Sequence, residues 1–104
     1  MSSLSTHVLD TALGRPAQGV PVQLYQGDVV LATGATNDDG RFAFTSTLEP
    51  GTYRLQFDVT SYAAATGQDI FFPEVSVTFT VADERHYHVP LLLSPFAFST
   101  YRGS

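Results

Sequence analysis

Residues 75–81 read Val-Ser-Val-Thr-Phe-Thr-Val, with apolar and hydroxyl-bearing side chains in strict alternation. A period of two puts Val75, Val77, Phe79 and Val81 on one face and Ser76, Thr78 and Thr80 on the other, as in a strand with one side in a core. The same period returns at 20–25, where Val20, Val22 and Leu24 alternate with Pro21, Gln23 and Tyr25. Weaker versions fall at 4–10, 29–36, 41–46, 52–58, 86–94 and 97–102, giving about eight short strands.

The breaks between these stretches carry turn chemistry. Asn37-Asp38-Asp39-Gly40 predicts a hairpin turn, because Asn, Asp and Gly tolerate the positive φ that tight turns need. Glu49-Pro50-Gly51 predicts another, and Pro95 follows Ser94 where a strand should stop. One segment departs from period two: Thr60 to Gly67 has a Thr/Ser start, an alanine run and a glycine stop, which predicts one short helix. No repeat or linker divides the chain, so the reading is one domain over residues 1–104, an antiparallel β-sandwich with a single short helix.

Composition narrows the function. A chain of 104 residues can bury roughly two-thirds of its unfolded surface, enough for a core without cross-links. There is no cysteine, so disulfides, zinc-thiolate sites and a cysteine nucleophile are excluded. A net charge of −5 with only five Lys+Arg argues against nucleic acid or an anionic membrane as partner. Met1 to His7 lacks the basic and apolar regions of a secretory signal, and no apolar run approaches the roughly twenty residues of a membrane span. The expectation is a cytoplasmic protein, in a bacterial cytosol.

The strand at 86–94 poses a problem of its own. If Tyr87, Val89, Leu91 and Leu93 face the core, then His86, His88, Pro90 and Leu92 share the other face. Pro90 and Leu92 sit poorly in water, so this outer face is expected to meet another subunit. His7, His86 and His88 are the histidines, and imidazole, with a pKa of about 6.5, suits proton transfer near neutrality. Each is equally readable as a surface or interface residue. His86 and His88 could offer two nitrogens to a metal, but no third ligand is placed and no metal is assigned. A calcium loop built on Gly40 fails at both anchors, Ala35 and Ser46, and there is no Gly-x-Ser-x-Gly elbow for a serine hydrolase. Arg41 could be a solvated charge or a fork for a carbonyl-rich anionic ligand. The closing Tyr101-Arg102-Gly103-Ser104 reads by position as a frayed tail. Periodicity names no substrate.

The segments LSTHVLDTALGRPAQGVPVQLY (4–25), NDDGR (37–41), GTYRLQFD (51–58), FFPEVSVTFTV (71–81) and HYHVPLLLSPFAFSTYRGS (86–104) resemble the transthyretin-related 5-hydroxyisourate hydrolase family, in order and over nearly the whole chain. The resemblance implies a transthyretin-like sandwich of two four-stranded sheets, assembled as a homotetramer with sites at subunit interfaces around a central channel. It implies cofactor-free hydrolysis of 5-hydroxyisourate on the route from urate to allantoin. By the same resemblance the site residues are His7, Arg41 and His88 with Tyr101, Arg102, Gly103 and Ser104. His7, Arg41, His88 and Ser104 are the expected catalytic set, and the tail tetrapeptide, with His7 and Arg41, the expected substrate contacts. Which histidine is the base stays open, and His86 is left outside the set. The terminal tetrapeptide separates these enzymes from transthyretin, the hormone carrier of the same fold. The competing reading is such a carrier, with a small aromatic ligand in the tetramer channel and no catalysis; a purely structural oligomer is the third.

Overall fold

The alternating stretches all become strands. A computed structural model describes residues 2–104. In chain order the elements are β1 (Ser2–Asp10), β2 (Arg15–Pro16), β3 (Pro21–Gln26), β4 (Val29–Ala35), β5 (Arg41–Leu48), β6 (Gly51–Asp58), α1 (Val59–Thr66), β7 (Glu74–Val81), β8 (Tyr87–Leu93) and β9 (Phe98–Thr100). One sheet runs β4-β3-β6-β7, antiparallel throughout. In the other, β8 and β9 lie on one side of β1, while β5 and β2 share its opposite edge. There β5 covers Ser2 to His7 and β2 covers Leu9 and Asp10, so this sheet has five strands where four are expected. It is four wide beside Leu9 and Asp10, where β9 pairs with Leu92 and Leu93, and three wide beside Leu4 to His7, where the tail adds a single bridge at Gly103.

The core follows from the alternation. Leu4, Val8, Val22, Leu24, Leu55, Phe57, Val75, Leu91 and Leu93 are each no more than 1 % exposed, and they come from the inner faces of both sheets. Burying one such side chain is worth about 1.5–3 kcal/mol, so the packed inner faces hold the sheets together. Pairing is antiparallel except between β1 and β8, which run parallel from Leu4 beside Tyr87 to Asp10 beside Leu93.

Three local expectations change. The helix starts at Val59, one residue before the expected Thr60, because Asp58 is its N-cap: the carboxylate accepts from the Ser61 N–H at 3.1 Å and the Ser61 hydroxyl at 2.7 Å. It ends on Gly67 at φ 66°, a left-handed cap. The turn at 37–40 is closed locally, with Gly40 N–H donating to Asn37 C=O at 2.9 Å, yet it joins no hairpin. β4 before it pairs with β3 and β5 after it pairs with β1, so the turn carries the chain from one sheet to the other. The strand expected over 97–102 is confined to Phe98–Thr100. β2 was not expected, since two residues are too few to show a period.

Candidate active site

The site is built on the outer face of the β1 sheet, where the register lines up two cross-strand rows. In one row Arg41 of β5 lies beside His7 of β1, which lies beside Pro90 of β8. In the next, Ala43 lies beside Ser5, Ser5 beside His88, and His88 beside Gly103 of the tail. Rows two residues apart along a strand are about 7 Å apart, within span of one small planar ligand. Thus β5, β1, β8 and the tail each contribute one member, and the pleat aims them to the same side.

The turn 37–40 sets the position of Arg41 and His7. Asn37 Oδ1 accepts from the Asp39 and Arg41 N–H groups at 2.9 and 3.0 Å, and Val8 N–H donates to Gly40 C=O at 2.7 Å. Gly40 has φ 74°, and a Cβ there would come within 2.4 Å of the Val8 carbonyl oxygen. Only glycine lets the turn lie this close to β1. The docked turn presents the Asp39 carbonyl to the His7 ring, 2.9 Å from Nε2. A carbonyl only accepts, so Nε2 carries the proton, and the neutral ring keeps Nδ1 bare.

His88 is clamped on two sides. Its Nδ1 lies 2.8 Å from Ser5 Oγ, and its Cδ2 edge lies over Gly103, where a Cβ would approach within 2.5 Å. Gly103 N–H donates to the His88 carbonyl at 2.8 Å. The tail therefore runs close enough for the imidazole to rest on backbone. Burial pushes the His88 pKa below the ordinary histidine value, and the Arg41 guanidinium pushes it the same way, as do His7 and His86 whenever their rings are charged. At neutral pH the ring is uncharged and able to accept a proton.

Between Thr100 and Gly103 the ladder lapses, and Pro90 explains why. The β8–β9 register carried onward sets Pro90 beside Tyr101, but proline has no N–H to give, and its carbonyl accepts instead from Thr100 Oγ1 at 2.7 Å. Pairing resumes at His88 and Gly103. Pro90 is buried within the single chain and Leu92 half-buried, so the apolar part of the outer face is smaller than the alternation implied.

Of the residues taken from the resemblance, His7, Arg41, His88 and Gly103 come together on this face. Arg102 does not: its guanidinium lies over the Tyr87 ring, 4.4 Å from the centroid, on the core side of the sheet. Tyr101 is exposed, and with Arg102 it borders a cavity of about 160 Å³ lined by Val77, Phe79 and Val89. Ser104 follows Gly103 and is exposed. Sequence reasoning missed Ser5, which the structure places between His86 and His88. The available signal was its parity with His7 on β1.

The chain and its sandwich both have counterparts among known proteins. The HIUase/Transthyretin family model matches residues 4–103. A mouse 5-hydroxyisourate hydrolase is 47% identical, the alignment covering 99% of this chain and 96% of the mouse protein. The structure of Klebsiella pneumoniae 5-hydroxyisourate hydrolase superposes with a TM-score of 0.93 at 39% identity, covering all of both chains. Sea bream transthyretin in complex with thyroxine superposes with a TM-score of 0.87 at 31% identity, covering 96% of this chain and 93% of that one. Sequence and fold agree over the full span of both sheets, and the chain belongs to the HIUase/Transthyretin family.

Proposed function

We propose that the chain hydrolyses 5-hydroxyisourate to 2-oxo-4-hydroxy-4-carboxy-5-ureidoimidazoline, with the His7–Arg41–His88 face as its site. One observation carries the assignment of residues. Two imidazoles sit on adjoining rows, each with one nitrogen tied to the protein and the other uncommitted, beside a guanidinium. That set can take a proton from water, accept from a substrate N–H and stabilise a developing oxyanion.

In the mechanism we infer, His88 Nε2 takes a proton from a water as its oxygen attacks the electrophilic ring carbonyl. The bond from that carbon to the ring nitrogen breaks, and the same proton passes to the leaving nitrogen. His7 Nδ1 accepts from a substrate N–H and fixes the ring's orientation. Arg41 binds the urate-like oxygens and stabilises the negative charge of the addition step. Positioned acid–base catalysis of this kind contributes roughly 10²–10⁴-fold. Tyr101, Gly103 and Ser104 close the site, Gly103 by leaving room for the His88 ring. Arg102 holds the tail down through Tyr87 and acts on the substrate only indirectly. No cofactor enters the scheme.

The assembly we propose is a homotetramer that brings these faces together around a channel, in the cytosol. No helix among the described residues is long and apolar enough to cross a membrane. The carrier reading draws on the sea bream transthyretin likeness, and a single assay separates the two. Loss of the substrate's ultraviolet absorbance is followed with and without purified protein. The expected result is decay well above the spontaneous rate, and decay at the spontaneous rate removes the hydrolase reading.

A further inference from the structure

Beside the proposed site lies a line of four side chains joined by hydrogen bonds. Ser3 Oγ is 2.5 Å from His86 Nδ1, His86 Nε2 is 2.8 Å from Ser5 Oγ, and Ser5 Oγ is 2.8 Å from His88 Nδ1. The two rings lie 6.5 Å apart and 21° from parallel. His88 is half-buried and His86 is exposed, so the line leads from the site to solvent.

A serine hydroxyl has a single proton, so Ser5 donates to one imidazole and accepts from the other. This gives the line a direction, and two directions are self-consistent. In the first, His88 Nδ1–H donates to Ser5 Oγ, Ser5 O–H donates to His86 Nε2, and His86 Nδ1–H donates to Ser3 Oγ. His88 Nε2 is then bare and basic. In the second, every proton has moved one step along, and His88 Nε2 carries a proton.

We propose that Ser5 and His86 are positioning residues that act through His88 as a proton relay, holding Nε2 bare before the reaction and moving charge to His86 during it. The proposal rests on the hydrolase reading given above. When Nε2 takes a proton from water, the Nδ1 proton passes to Ser5 Oγ while the Ser5 proton passes to His86 Nε2. Ser5 is again a neutral hydroxyl, His88 is a neutral Nε2–H imidazole, and His86 carries the positive charge. As Nε2 gives its proton to the leaving nitrogen, the same steps in reverse return Nδ1–H to His88 and neutrality to His86.

The electrostatic reason lies in the register. Facing His88 are His7 on β1, Arg41 on β5 and His86 on its own strand, while the tail supplies Gly103. A cation at His88 is one row from Arg41 and partly out of water. At His86 it is a further row away, about 7 Å, and exposed to solvent that screens it.

Two measurements test this. Long-range proton–nitrogen spectra of the histidine rings, taken on the wild-type protein without substrate, should show neutral His88 as the Nδ1–H form, and Ser5→Ala should shift it toward Nε2–H. An Nε2–H ring in wild type overturns the relay whatever the enzyme's activity. In the kinetic arm, Ser5→Ala and His86→Ala should lower kcat on the order of 10- to 100-fold with KM little changed, a share of what acid–base catalysis supplies. Ser5→Thr, which keeps the hydroxyl, should restore most of the Ser5→Ala loss, and free imidazole in the assay should restore part of the His86→Ala loss. Wild-type kcat in His86→Ala, or losses that neither threonine nor imidazole repairs, overturns it. If wild-type protein itself fails to speed substrate decay, the hydrolase reading has failed, and the spectra still judge the geometry.

Discussion

The two faces of β1 make opposite use of polar side chains. On the inner face Ser2, Leu4, Thr6, Val8 and Asp10 are all buried, and three of the five are polar. Each polar group there is committed to a partner. Ser2 donates to the Asp83 carbonyl, and Thr6 donates to the Val89 carbonyl at 2.6 Å. Asp10 accepts from the Leu13 N–H at 2.9 Å, the Tyr62 hydroxyl at 2.6 Å and the Gln68 amide at 2.9 Å. No buried side-chain nitrogen or oxygen among the described residues lacks a partner. On the outer face Ser5 and His7 are half-buried, and His7, like His88 beside Ser5, has one nitrogen held while the other faces what comes. One strand thus separates stability from chemistry by parity: a saturated polar group fixes the fold, and an unsaturated one can do work on a ligand.

Substitutions on the two faces should therefore split cleanly between rate and stability. The largest effect is expected from His88→Asn, which removes the proposed base: kcat/KM should fall by roughly 10²–10⁴-fold in the substrate-decay assay, with the urea midpoint little changed. A variant that unfolds as readily as it loses activity would erase the distinction between the faces.

Tyr62→Phe probes the inner face. It removes one donor to a buried carboxylate and should cost about 1–3 kcal/mol in urea unfolding, while kcat/KM of the folded protein holds. The pH dependence has a definite sign. Burial alone would raise the Asp10 pKa, but the hydrogen bonds from Tyr62, Leu13 and Gln68 outweigh it and hold the carboxyl below its ordinary value. A depressed acid stabilises the fold fully above the ordinary carboxylate range and loses that contribution as pH falls through the folded value. The gap between wild type and Tyr62→Phe should accordingly shrink on acidification, and a gap constant with pH would detach Asp10 from it.

The smallest effect is a shift in pH dependence, read apart from the rate that Arg41→Gln also loses with its oxyanion contact, and it sharpens the outer face. Burial is the first cause of the lowered His88 pKa and the Arg41 charge the second. Removing that charge with Arg41→Gln should raise the His88 pKa toward the ordinary value. The acid limb of kcat/KM moves to higher pH with it, and proton NMR titration of the His88 ring should report the same direction. A limb that stays in place would mean that Arg41 does not act on His88.

Much of this was legible from the chain. The strands could be read because one core face imposes a period of two, seen at Val75 to Val81 and matched by β7. Pairing partners are a different kind of information: Asn37 to Gly40 states that the chain turns, but not that it leaves one sheet for the other. The end of β9 was hidden for a related reason, since the interruption comes from Pro90 on the neighbouring strand. His7, Arg41 and His88 were legible through family resemblance and converge on one face. Ser5 and Asp10 were not singled out, because a small hydroxyl and a lone carboxylate acquire meaning only once the register shows which rings they meet.

Pro90 has a mechanical consequence. By interrupting the ladder at Tyr101 and Arg102 it leaves the tail tied to its neighbouring strand by the main-chain bond at Gly103 and the ring contact at Tyr87, while the sandwich beneath keeps its continuous pairing. With so few ties, the amide protons of the last four residues should exchange with solvent well before those of β1 and β8, since local opening of the tail leaves the core paired.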